Sequence, residues 1–293
     1  MRKAFFQLHT AVFLAGFTGI LGRLITLNEG LLVWYRLLIT AVTLWVLVYF
    51  QKSPEKVPAR DLLKLAGVGA IAALHWVTFY GSIKYANVSV ALVCFSAVGF
   101  FTAFLEPLIS NKRLQIAEIL FGLMVMAGIS LIFHFDPHYK TGIIIGLISA
   151  FLGSLFPVFS RQLVQRYTSE TVTRYELTGG FLFLSILLPL YLQWFPATHI
   201  VPTWSDFAWL LVLSWLCTVL AFNLSMKALK RISAFTANLS YNLEPVYGIA
   251  LAFIVYREDK LLTRSFYIGL GIILLAVFLQ SYSVYRKHKK EKI

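Results

Sequence analysis

Residues 84–98 read KYANVSVALVCFSAV, and residues 230–244 read KRISAFTANLSYNLE. The two stretches align without a gap at a constant offset of 146. Each opens on a lysine, Lys84 or Lys230, and then enters a long apolar run. The first run carries no charge from Val88 to Leu105, eighteen residues in all. A helix that crosses a bilayer needs about 20 mostly apolar residues. These segments therefore read as two membrane helices at equivalent places in a chain built twice.

The correspondence continues outward in both directions. Trp34-Tyr35-Arg36 matches Arg174-Tyr175-Glu176 at an offset of 140. Arg113-Leu114 leads to Gly122 and Lys260-Leu261 leads to Gly269, with leucine and glycine 8 apart in both. Apolar runs of spanning length lie at about 5–25, 30–50, 64–83, 88–110, 114–134, 140–161, 172–194, 205–226, 233–256 and 265–285. The expected fold is an all-α integral membrane protein with ten transmembrane helices. Residues 1–135 form one five-helix repeat, 136–285 a second, and 286–293 a basic cytoplasmic tail. Five is odd, so the second repeat enters the membrane upside down, and the halves are inverted-topology repeats of the kind found in secondary transporters.

Composition agrees. Of 293 residues 59% are hydrophobic and 13% charged, with mean hydropathy +0.76. Soluble domains carry roughly 25% charged residues. The net charge of +13 comes from 26 Lys and Arg against 13 Asp and Glu. Those cations lie between apolar runs, not in one patch, which speaks against a nucleic-acid partner. Counted over alternate loops, 18 fall on the side of both termini and 6 on the other. The positive-inside rule then places both termini in the cytoplasm. Trp194, Trp204 and Trp209 read as an interfacial belt. The first run, after Arg2 and Lys3, has no good small-residue cleavage site and reads as the first helix, not a signal peptide. Cys94 and Cys217 each lie in an apolar run without metal-ligand spacing, so no metal and no cofactor are expected.

The motifs around the second stretch are specific. Lys230-Arg231-Ile232-Ser233, Glu244-Pro245-Val246 and Arg257-Glu258-Asp259-Lys260-Leu261, with Ile83 to Ser89 and Asn111 to Leu114 in the first half, resemble the EamA branch of the drug/metabolite transporter superfamily. In that pattern a basic-serine turn starts helix nine, Glu-Pro-Val sits midway, and Gly-Glu-Arg-Leu ends it. Arg257-Glu258 here replaces Gly-Glu, and Val98-Gly99 stands where many members have a proline. The resemblance implies a permease, usually an exporter of amino acids or related metabolites.

Ionisable groups inside a span are costly and need a reason. The set is Arg36, His75, Glu106, Glu176 and Glu244, since Asp61, Asp136, Asp206 and Asp259 all read as loop residues. Asn238, Tyr241, Asn242 and Pro245 recur at i, i+3, i+4 and i+7, one helical face, which reads as cavity lining. Glu244 lies about eleven residues into helix nine, beside that face. It is divided between a structural hydrogen bond and substrate or proton binding, which makes protons a coupling partner to test. His75, with Trp76, Phe79 and Tyr80 around it, is divided between a structural bond and a substrate site. Arg36 can hold a substrate carboxylate or a fixed ion pair. Glu106, near Lys112 and Arg113, and Glu176, the repeat mate of Arg36, read as structurally paired. Ser89, Ser96, Gly99 and Ala103 form a small-residue stripe, with packing as its default and Ser96 a further cavity position. Pro157 and Pro245 are hinge positions.

The expected function is alternating-access transport of a small metabolite by a monomer or weak homodimer in the lipid bilayer. A membrane enzyme or a non-transporting partner subunit is the alternative. Paired acids, a nucleophile motif and His-Glu-x-x-His, which would favour the enzyme, are lacking in the sequence.

Overall fold

The computed structural model describes residues 2–50, 55–111, 113–135, 137–241 and 243–290. The apolar runs fold as helices because nothing else satisfies the backbone polar groups away from water. In order these are α1 (Arg2–Gly16), α2 (Thr18–Leu24), α3 (Glu29–Tyr49), α4 (Ala59–Tyr85), α5 (Val88–Phe95), α6 (Val98–Ser110) and α7 (Ile116–Phe135). Then come α8 (Lys140–Val164), α9 (Ser169–Trp194), α10 (Trp204–Ser214), α11 (Ala221–Leu229), α12 (Ala234–Tyr241), α13 (Glu244–Tyr256) and α14 (Arg264–Lys290). Polar residues between the runs start them. Asn28 accepts from the backbone N–H of Gly30 and Leu31, Asn87 from Val90, and Thr203 with Asp206 forms a capping box on α10. Asp61 and Asp206, expected in loops, sit in the first turns of α4 and α10, where a carboxylate suits the helix N-terminus.

Among the described residues, seven helical stretches are long and apolar enough to cross a membrane: Lys3–Leu24, Glu29–Tyr49, Ala59–Tyr85, Val88–Ser110, Lys140–Val164, Ser169–Trp194 and Trp204–Leu229. Ile116–Ile132, Glu244–Tyr256 and Arg264–Gln280 are shorter apolar helices. The basic stretch from Arg286 is helical as far as Lys290, as the end of α14.

Four expected single helices are divided: the first breaks at Phe17 into α1 and α2, and Trp215–Leu220 separates α10 from α11 in the eighth. The fourth run divides at Ser96–Ala97 into α5 and α6, and the ninth divides into α12 and α13 just before Glu244. Val98 and Glu244, the first residues after these last two breaks, stand 146 apart. So do Asn111 and Arg257, the residues that end α6 and α13, and both are left-handed, with φ of 50° and 54°. Pro245 is therefore not a kink within a continuous helix. It sits in the first turn of α13, where its missing N–H costs nothing.

Glycines set the crossings. A Cβ on Gly128 of α7 would lie 2.8 Å from the Gly269 carbonyl of α14, and one on Gly269 would lie 2.6 Å from the Gly128 carbonyl. Gly69 of α4 meets the backbone of Glu176 and Gly180 in α9 in the same close manner. Backbones in contact through small residues are the usual way apolar helices associate where no hydrophobic force draws them together.

Candidate functional site

The helices α1 to α5, α8 and α11 to α13, with the turn that precedes α11, surround a cavity that offers about 70 Å³ to the centres of water-sized molecules. Arg36, His75, Trp76, Phe79, Asn238, Tyr241, Glu244 and Pro157, all expected at a site or hinge, line it. Phe95, Phe156, Phe222, Gly153, Thr18 and Cys217 complete the wall.

Arg36 is 2% exposed and well held. Its Nε donates to Thr218 Oγ1 at 2.7 Å, Nη1 to Tyr80 Oη at 3.0 Å and Nη2 to the Cys217 carbonyl at 3.4 Å. The guanidinium lies over the Trp76 ring, 3.9 Å from its centroid. Thr218 and Cys217 can reach it because residues Trp215–Leu220 form a π-helical turn between α10 and α11. The widened turn lets Thr218 Oγ1 donate to the Leu213 carbonyl five residues back, at 2.8 Å. Ser214 Oγ in turn donates to the Arg36 carbonyl at 3.2 Å. A guanidinium has five N–H donors, so three bonds leave two for a ligand. Tyr80 thus stands one layer behind the wall, as the residue that aims Arg36.

His75 is fixed from α8. Its Nδ1 lies 2.9 Å from both the Ser149 carbonyl and Ser149 Oγ, and that hydroxyl donates to the His75 carbonyl at 3.0 Å. With Nδ1–H donating to the carbonyl, a neutral ring keeps Nε2 as an acceptor. The ring sits among Phe95, Phe156 and Phe79, with centroids at 5.3, 5.9 and 6.1 Å. Gly153 makes room for it: a Cβ there would lie 3.1 Å from Nδ1 and 2.9 Å from the Phe95 ring. Phe156 stacks on Phe222 at 6.0 Å and 15°, and Phe222 meets Trp76 edge-on at 6.1 Å. The cavity is an aromatic box with a cation, Arg36, and an acid, Glu244, in its wall.

Asn238 Nδ2 donates to Thr102 Oγ1 at 2.8 Å. Thr102 also lines a second, more open cavity of about 360 Å³ with Glu106, Arg113, Gln115, Glu118 and Ser233. Ser96 is buried outside the central cavity, where its hydroxyl turns back to the Leu92 carbonyl at 3.4 Å. Asn242 lies outside the described residues. Glu176, expected to be paired, is fully buried with neither carboxyl oxygen hydrogen-bonded among the described residues.

At the opposite end of the α5–α6 run from Thr102 lies a polar lattice. Glu258 is 0% exposed and accepts from Val88 N at 3.1 Å, Ser89 N at 2.8 Å and Ser89 Oγ at 2.6 Å, so it caps α5 from the other half of the chain. It also pairs with Arg23, which lies 4.3 Å from the centroid of the Tyr256 ring. Tyr256 Oη donates to the Ile20 carbonyl at 2.8 Å.

Two matched halves, with helices broken at equivalent points beside one polar cavity, give the comparisons their context. The model of the EamA-like transporter family matches residues 2–134 and 140–282. The chain belongs to the EamA-like transporter family. A curated relative, an uncharacterized transporter from Haemophilus influenzae (strain ATCC 51907 / DSM 11121 / KW20 / Rd), is 24% identical over 155 residues. That alignment takes in 50% of this chain and 51% of the relative, so the chain spans about half the length of the curated relative it matches. A protein solved by crystallography shares the fold with a TM-score of 0.68 at 18% identity, over 98% of this chain and 99% of that one. This EamA-like transporter is a membrane protein with several apolar helices.

The sequence offered no signal for the π-turn at Trp215–Leu220 or for the three phenylalanines of the wall. Glu258 was visible only as part of a terminal turn, and its buried role as a cap on α5 needed the fold.

Proposed function

We propose that this EamA-like transporter is a secondary transporter that exports small zwitterionic metabolites such as amino acids. It works by alternating access through the central cavity, between two inverted-topology repeats of five spans each. On this reading residues 1–135 and 136–285 are the repeats, ten segments cross the inner membrane, and both termini are cytoplasmic. The observation that carries the reading is the pairing of functions in one cavity wall. Arg36 has two N–H donors left for a carboxylate, Glu244 stands ready for an ammonium, and Trp76, Phe79, Phe95, Phe156 and Phe222 suit an apolar or aromatic side chain. A space of about 70 Å³ for the centres of water-sized molecules corresponds to several waters, the scale of a small solute. The paired breaks before Val98 and Glu244 are where opening of the cavity costs least backbone hydrogen bonding.

Counterflow of radiolabelled amino acids and aromatic metabolites into proteoliposomes tests this. The expected result is saturable exchange that Arg36→Ala and His75→Ala reduce at least tenfold while each variant keeps a normal melting transition. Exchange that survives both substitutions removes the site from this cavity.

A further inference from the structure

Glu176 stands seven residues after the start of α9, as Arg36 stands seven residues after the start of α3. Arg36 is surrounded by partners, and Glu176 is not. It is 0% exposed, and neither carboxyl oxygen has a hydrogen-bond partner among the described residues. Its backbone lies directly against Gly69 of α4, with no side chain between the two helices. Ser160 of α8 presents its hydroxyl toward the carboxyl without closing a hydrogen bond.

The ionisable groups of the packed helices are committed elsewhere, apart from Arg174 Nε and Nη2, which make no hydrogen bond among the described residues. On α3, Arg36 bonds to Thr218 and Tyr80. On α4, His75 is held by Ser149, and Asp61 pairs with Lys64. On α8, Arg161 donates to the Ile232 carbonyl, and on α11, Lys227 pairs with Glu170. On α9 itself, the Arg174 guanidinium lies 5.2 Å from the Trp45 ring centroid and 4.8 Å from that of Tyr175. An ionised carboxylate at this place would have no ion-pair partner among the described residues and only the Ser160 hydroxyl facing it, and a buried group in that position neutralises instead.

We propose that Glu176 is the transporter's proton-binding site. Its carboxylate takes one proton from water when the halves open to it, forming an O–H bond, and returns that proton to water when they exchange. The closed form described here is the loaded one, with the hydroxyl of Ser160 beside the acid. The opening step rests on the alternating-access reading above. The presence of the proton does not.

Infrared difference spectroscopy of the lipid-reconstituted protein at neutral pH tests the proton directly. The spectrum of wild type minus Glu176→Gln should show the C=O stretch of one protonated carboxylic acid. An ionised carboxylate signature in its place overturns the proposal. If Glu176→Gln does not fold, Ser160→Ala carries the test. Removing the facing hydroxyl should shift that same C=O band, and an unshifted spectrum counts against the site. For coupling, phenylalanine uptake is compared with and without an imposed pH gradient. The ratio should exceed unity severalfold in wild type and fall to unity in Glu176→Gln. A ratio kept in the variant overturns the assignment. Absence of phenylalanine exchange from wild type as well counts against the transport reading, and the infrared result then decides Glu176 alone.

Discussion

At the scale of single residues, Arg257 is the most informative departure from the family pattern. It occupies the left-handed position, φ 54°, where the EamA pattern has glycine. Its counterpart Asn111, φ 50°, is a residue type that tolerates that region. An arginine there carries a steric cost of about 1 kcal/mol. Arg257→Gly should therefore raise the melting temperature of the detergent-solubilised protein, and an unchanged or lower value would mean that the Arg257 side chain repays the strain. Gly153 gives the opposite case. Gly153→Ala should push the His75 ring and Phe95 apart by a few tenths of an ångström. The expected outcome is weakened solute affinity in counterflow with little change in melting, because the helix itself gains from alanine by up to about 1 kcal/mol. Much of this scale was legible beforehand. Arg36, His75 and Glu244 stood out because charge within an apolar run is expensive. Phe95, Phe156 and Phe222 did not, because a cavity-facing phenylalanine and a lipid-facing one look alike in composition. Glu176 was expected to be paired because that is the usual fate of a membrane acid, and only the fold showed both its carboxyl oxygens without a hydrogen bond among the described residues.

At the scale of helices, the start of α9 shows how a loop holds an element in place. Glu55, just before α4, accepts from the backbone N–H and hydroxyl of Thr168, both at 2.9 Å, and Thr168 is the N-cap of α9. Burial alone would raise the Glu55 carboxyl. The Thr168 backbone bond, with the Thr171 and Thr168 hydroxyls, outweighs that and holds it below its ordinary value. A carboxyl lowered in the folded state stabilises above its unfolded value, and that stability disappears as pH falls through the folded value. The melting advantage of wild type over Glu55→Gln should thus be present at neutral pH and vanish in acid. At the α7–α14 crossing, Gly128→Val should cost about 1–3 kcal/mol, because the nearest atom is a backbone carbonyl that cannot rotate away. The runs and their order were readable from hydropathy. The breaks were not: Ser96 and Ala97 contain no helix breaker, and Pro245 suggested a kink where the chain starts a new helix. The π-turn likewise has no sequence signature, since it depends on Arg36 arriving from α3.

At the scale of the molecule, the two ends of the α5–α6 run are unequal. The end at Glu258 is stitched shut by one carboxylate that joins α2, α5 and the turn after α13. At the other end, Thr102 accepts from Asn238 of the central cavity and lines an open polar cavity of about 360 Å³. Cross-linking Arg23→Cys to Glu258→Cys should abolish counterflow under oxidation and restore it on reduction. Persistent transport in the oxidised pair would show that this end does not open.

Cys217 gives the molecule a native reporter of the same asymmetry. Its backbone carbonyl touches Arg36 and the residue lines the cavity at 7% exposure, while Cys94 lies outside the lining at 1%. A membrane-impermeant thiol reagent should accordingly modify one sulfur and spare the other. The side of the vesicle from which it reacts, and the solutes that slow it, would read out which door is ajar without any engineered label.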